Sequence, residues 1–452
     1  MNTRVPTDGR PTGLVSASRL PLIEAGPDGV LPPLPKTAWI EIDLDALIAN
    51  VRLLKALLPT NVRLEPVVKA DAYGHGAVAV ARALVADGIT GLGVATFDEA
   101  LELRQAGIGV PIIILFPIPP ELAPEALQRS LAVTVGDWAL FERSLAALEE
   151  AAAGRLGSDA HKARLDVHVE VETGLGRGGV QPEDVARVVA AIQASPYARL
   201  AGLWSHLQAA GDRRNATGQE DRFGVAAGLL EAAGVSPPTR HLAASGALLA
   251  ATTTTYDVVR VGLAQYGLVP DGLEVAGPNA AAAARLRPVM SLHARPIRVA
   301  WLEAGTGVSY GPSFVTARRS LIATLPLGYG DGYPRSLSNR ASVLVRGIRV
   351  PQVGTVAMDA LMVDVTDVAG PPVTVDDEFI LIGEQDGDRI GAAEVAQWGN
   401  TISYEVVTAM SSRLPRVYYA AAEPVGMRVV ASSSSRSLGR PDNDPSAAAF
   451  ET

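Results

Sequence analysis

The residues with the clearest chemical content sit where apolar runs end. Lys69 closes the run EPVVKA (65–70), within PVVKADAYGHG (66–76). A lysine in a buried strand is unusual, because an unpaired ammonium is costly to remove from water. The same burial lowers its pKa, as an amine that condenses with a carbonyl to a Schiff base requires. The competing reading is a strand-end lysine whose head reaches solvent, and Lys69 alone does not decide between the two. Ser245 ends TRHLAAS (239–245) and Gly262 ends YDVVRVG (256–262). Each by itself makes a turn; together they stand at two neighbouring strand ends where free backbone N–H groups could receive a phosphate. Arg260 lies inside that last run, where a buried guanidinium needs a partner, and arginine is one of the groups that tune a pyridine nitrogen. His206 ends LAGLWSH (200–206). It reads either as a core histidine satisfied by backbone or, as part of this cluster, as a wall against a planar ring.

These residues need a scaffold that brings strand ends together. Between about 37 and 270 the chain alternates short apolar runs with stretches of helical spacing. The runs are EPVVKA, GLGVA (91–95), PIIILF (111–116), LAVTV (131–135), LDVHVEV (165–171), LAGLWSH, TRHLAAS and YDVVRVG. Segments between them, such as FDEALELRQAG and PEDVARVVAAIQ, carry apolar residues at helical spacing and open on acidic residues or proline. Such alternation implies a parallel sheet, and eight units suit a closed (β/α)8 barrel with its chemistry at the strands' carboxyl ends; an open doubly wound sheet is the alternative. From about 285 to 423 the texture changes to short Val-rich strands, SLIATLPLG, ASVLVRGIRVPQVG, ALMVDVT and EFILIGE, punctuated by Gly, Pro, Asn and Asp. That pattern predicts a mostly antiparallel β domain. The expected organisation is therefore a disordered tail over 1–36, a barrel over 37–275, a β domain over 285–423 and a second disordered tail over 424–452, where SSSSRS begins the polar end.

Composition narrows the function classes. The 452 residues are 48% hydrophobic and 19% charged, with a mean hydropathy of +0.19, so a large core is available. No apolar run approaches the ~20 residues of a membrane helix. A net charge of −9 argues against nucleic acid, which demands clustered Lys and Arg. With no cysteine, disulfides and thiolate metal sites are excluded, and no metal is expected. The opening MNTRVPTDGR lacks the layout of a secretory signal; the expected compartment is the cytoplasm.

PVVKADAYGHG closely resembles the cofactor-lysine motif of the alanine racemase family, whose members use pyridoxal 5'-phosphate (PLP). ETGLGRGG (172–179), GLWSH (202–206), HLAASGA (241–247), VRVGLAQYGL (259–268), PVMSLHARPIRVAWLEAGTGVSYG (288–311), LPLGYGDGYPR (325–335), VGTVAMD (353–359) and TISYEVVTAMSSRLPRVY (401–418) follow in that family's order. The resemblance implies that Lys69 binds the cofactor as a Schiff base, that Tyr73, Ser245, Gly262, Leu263 and Tyr404 hold its phosphate, that Arg260 meets the pyridine nitrogen, that His206 packs against the ring and that Arg177 faces the phenolic oxygen and the substrate. It also implies a homodimer with shared sites, in which Tyr310 and the backbone of Met358 come from the second subunit, Met358 receiving the substrate carboxylate, while Tyr329, Arg335 and Ile402 line the entrance. The implied reaction interconverts L- and D-alanine, Lys69 serving one face and Tyr310 the other, and supplies D-alanine for peptidoglycan.

The chain departs from the family pattern at several positions. Glu170 stands where members often carry a lysine that can be carbamylated to hold Arg177, Ala244 where Asn often precedes the phosphate serine, Thr355 where the entrance usually has arginine, and Ala357 where a cysteine is usual. The entrance is thus less cationic than usual, which bears on which small amino acid is preferred. A tyrosine with a pKa near ~10 is a weak base at neutral pH, so positive charge from His206 or an arginine is expected beside Tyr310. A PLP decarboxylase also joins a barrel to a β domain, but such enzymes usually place an acid at the pyridine nitrogen, whereas this chain has Arg260. A carrier without turnover is a single barrel, and a lysine-dependent aldolase has no use for the Ser245 and Gly262 motifs.

Overall fold

The computed structural model describes residues 22–26, 29–153 and 163–430. Each of the eight apolar runs overlaps a strand, the first only at 65–66: β1 (Arg63–Pro66), β2 (Leu92–Val94), β3 (Ile112–Ile114), β4 (Leu131–Val135), β5 (Leu165–Glu170), β6 (Ala198–Trp204), β7 (Arg240–His241) and β8 (Val258–Val261). β2 through β7 pair in parallel in chain order, and β8 pairs in parallel with β1. The parallel bridges Val67–Gly93 and Ala244–Arg260 join β1 to β2 and β7 to β8, so the sheet closes on itself. Closure buries both faces, which is why the runs read as continuous apolar stretches. The helices between them bury one stripe each. In Phe97–Gln105 that stripe is Phe97, Ala100 and Leu103, and the helix starts with a capping box between Thr96 and Glu99.

The second domain is built on one long mixed sheet. Its central order is Ala38–Asp43, Met290–Ala294, Phe379–Gln385, Ser342–Val345, Ile348–Val353, Leu361–Asp364, Ser320–Leu325 and Arg298–Leu302, every neighbouring pair antiparallel. The four Val-rich segments predicted as strands all lie in it.

Three boundaries differ from the sequence reading. Ala38–Asp43, placed there in the barrel, joins the second domain's sheet between Met290–Ala294 and, in parallel, Arg416–Ala420. Its residues Ile40 and Ile42 are fully buried, so the strand follows its apolar face into the nearest sheet rather than its neighbours in sequence. Residues 424–428, assigned to the disordered C-terminal tail, belong to the strand Glu423–Arg428, antiparallel to Arg416–Ala420. Leu22–Glu24, assigned to the N-terminal tail, pairs antiparallel with that strand in turn. The Pro- and Gly-rich composition of both ends hides them: Glu423–Arg428 folds back on its neighbour Arg416–Ala420, and Leu22–Glu24 finds its partner about 400 residues away in sequence. Of the remaining tail residues, Leu31 and Leu34 pack against Trp39 and its neighbours and Lys36 pairs with Asp331, while 1–21, 27–28 and 431–452 lie outside the described residues. One continuous buried cluster runs through both domains, from Ala38 through the barrel to Tyr418.

Candidate active site

The strand ends of the barrel open into a cavity of 730 Å³ lined by Lys69, Tyr73, Arg177, His206, Ser245, Arg260, Gly262, Leu263 and Tyr404 among others. Nine of the positions singled out in the sequence therefore meet in one place. Lys69 sits three residues beyond the end of β1, not within the strand, and opens a short turn in which Ala70, Asp71, Ala72 and Tyr73 all have φ between 50° and 55°. Consecutive left-handed residues other than glycine cost about 1–2 kcal/mol each, so the surroundings must impose this turn. Glu99 contributes: one carboxylate oxygen accepts from the backbone N–H of Ala70 at 2.7 Å and the other from those of Ala95 and Thr96. The helix-capping glutamate thus also ties down the lysine turn. Burial pushes the Lys69 ammonium pKa below its ordinary value, aided by the Arg177 and Arg260 charges and opposed by Glu99.

At one end of the cavity hydroxyl and amide groups converge. Ser245 Oγ accepts from the backbone N–H groups of Gly262 at 3.0 Å and Ala264 at 3.3 Å. The Tyr73 ring lies 5.2 Å from that of Tyr266 and 6.3 Å from that of Tyr404. A Cβ at position 262 would crowd the Tyr73 hydroxyl, so glycine there lets Tyr73 keep its place. Burial raises the Tyr73 pKa above the usual phenol range and, with Asp271, pushes Tyr404 up to about 12, so both are hydrogen-bond donors at neutral pH. Asp271 lines the same cavity and accepts from the N–H and the hydroxyl of Ser403, at 2.9 and 2.6 Å. It anchors the start of the helix Ser403–Thr408, which carries Tyr404. Nothing in the sequence pattern around Pro270–Asp271 signals this role.

At the barrel centre Arg260 is buried. Its guanidinium donates to His241 Nδ1 at 2.6 Å and to the carbonyls of His241 and Ser205 at 3.0 and 2.7 Å, and stacks 4.8 Å from the Trp204 ring. Burial lowers its pKa to about 10, which leaves it cationic at neutral pH. His241 is held neutral by burial and by Arg260, so its Nδ1 can accept; its Nε2 stands 3.1 Å from His168 Nδ1. Burial and the charges of Arg260, Arg177 and Lys69 push His206 down to about 3. His206 is therefore neutral, so of the two sources of charge expected beside Tyr310, His206 or an arginine, it is not the one. Glu170, the last residue of β5, is buried and pairs with Arg177 through a single 3.4 Å contact, while the Arg177 guanidinium also lies 5.1 Å from the Phe116 ring.

The other predicted residues gather elsewhere. Tyr310, Tyr329, Arg335 and Met358 line a second cavity, of 960 Å³, in the β domain. Tyr310 is 78% exposed, and Met358 and Ile402 are also exposed. The Tyr310 loop is held to the Met358 loop by Ser309 Oγ donating to the Thr355 carbonyl at 2.6 Å. No residue lines both cavities.

Two family models cover most of the chain: the alanine racemase N-terminal domain matches residues 42–270 and the C-terminal domain residues 289–418. The chain belongs to the alanine racemase family. The alanine racemase of Symbiobacterium thermophilum is 43% identical over 393 residues, 86% of this chain and 98% of that protein; that of Nostoc sp. is 39% identical over 386 residues, 84% and 95%. Among solved structures, the alanine racemase of Bacillus anthracis with bound L-Ala-P superimposes with a TM-score of 0.78 at 32% identity, covering 88% of this chain and 98% of that one. The enzyme of Clostridium difficile 630 gives 0.80 at 31% identity, covering 88% and 99%. The barrel-plus-β architecture read from the sequence is thus the fold of alanine racemases.

Proposed function

We propose that the chain is a PLP-dependent racemase that interconverts L- and D-alanine as a cytoplasmic homodimer with shared sites. The residues of the 730 Å³ cavity fit this cofactor in kind. The amine of Lys69 suits an aldehyde, the Tyr73, Ser245 and Tyr404 hydroxyls and nearby amides suit a phosphate, and a cationic Arg260 suits a ring nitrogen. The glycine cradle at position 262 keeps the phosphate end open. When bound, PLP supplies the delocalisation that makes the α-proton of an amino acid removable.

The chain's own groups do the rest. Lys69, whose pKa burial lowers, gives up its proton more readily than an ordinary lysine and would take or return a proton at Cα. Arg260, cationic and a weak acid, would donate an N–H to a ring nitrogen without protonating it and so would restrain the electron sink. Arg177, tied to Glu170, lines the same cavity. Racemisation needs a second base on the opposite face, and the exposed Tyr310 of a partner subunit supplies it, with Met358 beside it to meet the carboxylate.

The observation that carries this reading is the meeting of Lys69, Arg260 and the hydroxyl cluster in one cavity. The test is to load the purified protein with PLP and follow a panel of small L- and D-amino acids by chiral separation, with Lys69→Ala as control. Interconversion of alanine enantiomers that vanishes in Lys69→Ala is expected. Loss of CO2 without racemisation, or no reaction with any small amino acid, would refute the assignment.

A further inference from the structure

The turn that carries Lys69 is gripped from outside the barrel by the last described strand. Asp71, in the middle of the left-handed segment, accepts from Arg428 Nη1 at 2.8 Å through Oδ1 and from Arg428 Nη2 through Oδ2, and its Oδ1 also receives the Ala77 N–H at 2.8 Å. This is a fork-to-fork pair, the geometry that fixes direction as well as distance. Arg428 ends the strand Glu423–Arg428, and in the register of the sheet it stands directly opposite Arg416. Two like charges facing each other across a sheet repel, and both arginines are largely buried. The arrangement makes sense because both reach the same turn: Arg416 Nε donates to the Gly74 carbonyl at 2.8 Å while Arg428 takes the carboxylate of Asp71. Arg416 is also fixed by the carbonyls of Met410, Ser411 and Leu414, whereas Asp71 is the ion-pair partner of Arg428.

We propose that Arg428 is a positioning residue for the cofactor lysine: clamped on Asp71, it holds Ala70–Tyr73 left-handed, and so aims Lys69 at one end of the cavity and the Tyr73 hydroxyl at the other. The terminal strand, which touches no reacting atom, is then part of the cofactor site, and its pairing with Leu22–Glu24 ties both ends of the described chain to that site. The inference rests on the reading that Lys69 binds PLP.

The test compares the parent with Arg428→Met, Arg428→Lys, Asp71→Asn and the Asp71→Asn/Arg428→Met double variant. Three quantities are read without turnover: PLP affinity of the apoprotein by absorbance titration, the pH midpoint of the absorbance of the loaded protein, and the melting temperatures of both forms. Arg428→Met and Asp71→Asn should each lose about tenfold or more in PLP affinity, since a misdirected lysine forfeits orientation, and should shift the pH midpoint. Arg428→Lys should recover part of the loss, and the double variant should be no worse than the poorer single one, as for two halves of one interaction. If Arg428→Met also melts lower, Asp71→Asn, nearly identical in shape, decides by its PLP affinity. Parental affinity and pH midpoint in Asp71→Asn, with a parent that binds PLP, overturn the clamp alone. A parent that takes up no PLP overturns the cofactor reading, and the clamp with it.

Discussion

Burial at Lys69 has a thermodynamic consequence that can be measured before any cofactor is added. Its folded pKa lies below the ordinary 10.5, so between those two values the unfolded chain binds a proton that the folded chain has released. Folding stability therefore rises with pH across that window: the penalty is complete below the folded pKa and gone above the ordinary one. Lys69→Met should raise the melting temperature of the apoprotein at about pH 7, and the gain should shrink towards about pH 10. A gain that is flat with pH would mean that the amine is not the source. Glu170 makes the second case. Burial raises its pKa in spite of Arg177, and the carboxylate that holds Arg177 is lost as pH falls through that raised value. Glu170→Gln should lower kcat/KM about tenfold and flatten the acidic limb of the pH profile. The loss should stay moderate, because the contact is a single long one and the Arg177 side chain is 40% exposed; a variant with parental kinetics and melting temperature would show that the pair does not matter. At this scale the chemistry was legible wherever a residue type conflicted with its setting, as with Lys69 or Arg260 in apolar runs. Asp71 and Arg428 conflict with nothing locally, and their role appears only once 357 residues of chain have brought them together.

Most barrel strands could be read because burial on both faces leaves an apolar run, as in Ile112–Ile114 and Leu131–Val135, and the helix Phe97–Gln105 showed in its apolar spacing and its early acidic residues. The sequence did not reveal which sheet a short strand would join. Ala38–Asp43 lies next to the barrel in sequence and far from Met290–Ala294, yet its buried Ile40 and Ile42 fit the latter; pairing over some 250 residues has no local signal. The link between the domains at the cavity is similarly invisible. Asp271 follows the barrel and Ser403 starts a helix of the β domain, and the two hydrogen bonds between them set where Tyr404 stands. Asp271→Ala frees the helix start and leaves the Ser403 N–H without its acceptor, a loss of about 1–3 kcal/mol if water does not replace it. The expected result is weaker PLP binding with barrel secondary structure intact by circular dichroism, and weaker retention of inorganic phosphate by the apoprotein. Unchanged affinity for both would show that Tyr404 is placed without this anchor.

At the level of the whole molecule the division of the predicted site between two cavities is the main fact to explain. Lys69 and its neighbours lie in the barrel mouth, while Tyr310, Met358 and the entrance residues line a separate hollow of the β domain, with the Tyr310 ring left in the open. A tyrosine 78% exposed has no apolar reason to be there in a lone chain, and a two-base reaction cannot run across two hollows. Both difficulties disappear if a second copy, related by a two-fold axis, lays its β domain over this barrel, since each subunit then completes the other's site. Mixing Lys69→Ala with Tyr310→Phe distinguishes this arrangement from one in which each chain is self-sufficient. Random exchange of equal amounts gives mixed dimers in half of the population. In each mixed dimer one site loses both bases and the other regains both, so activity should return to about a quarter of the parent's. Tyr310→Phe is the suitable partner variant because it removes only the hydroxyl and keeps the ring, leaving the fold and the dimer face in shape. Recovery near a quarter, rising with the time allowed for exchange, is the expected outcome. Exchange demonstrated by mass-tagged subunits without any return of activity would establish that both bases act within one chain.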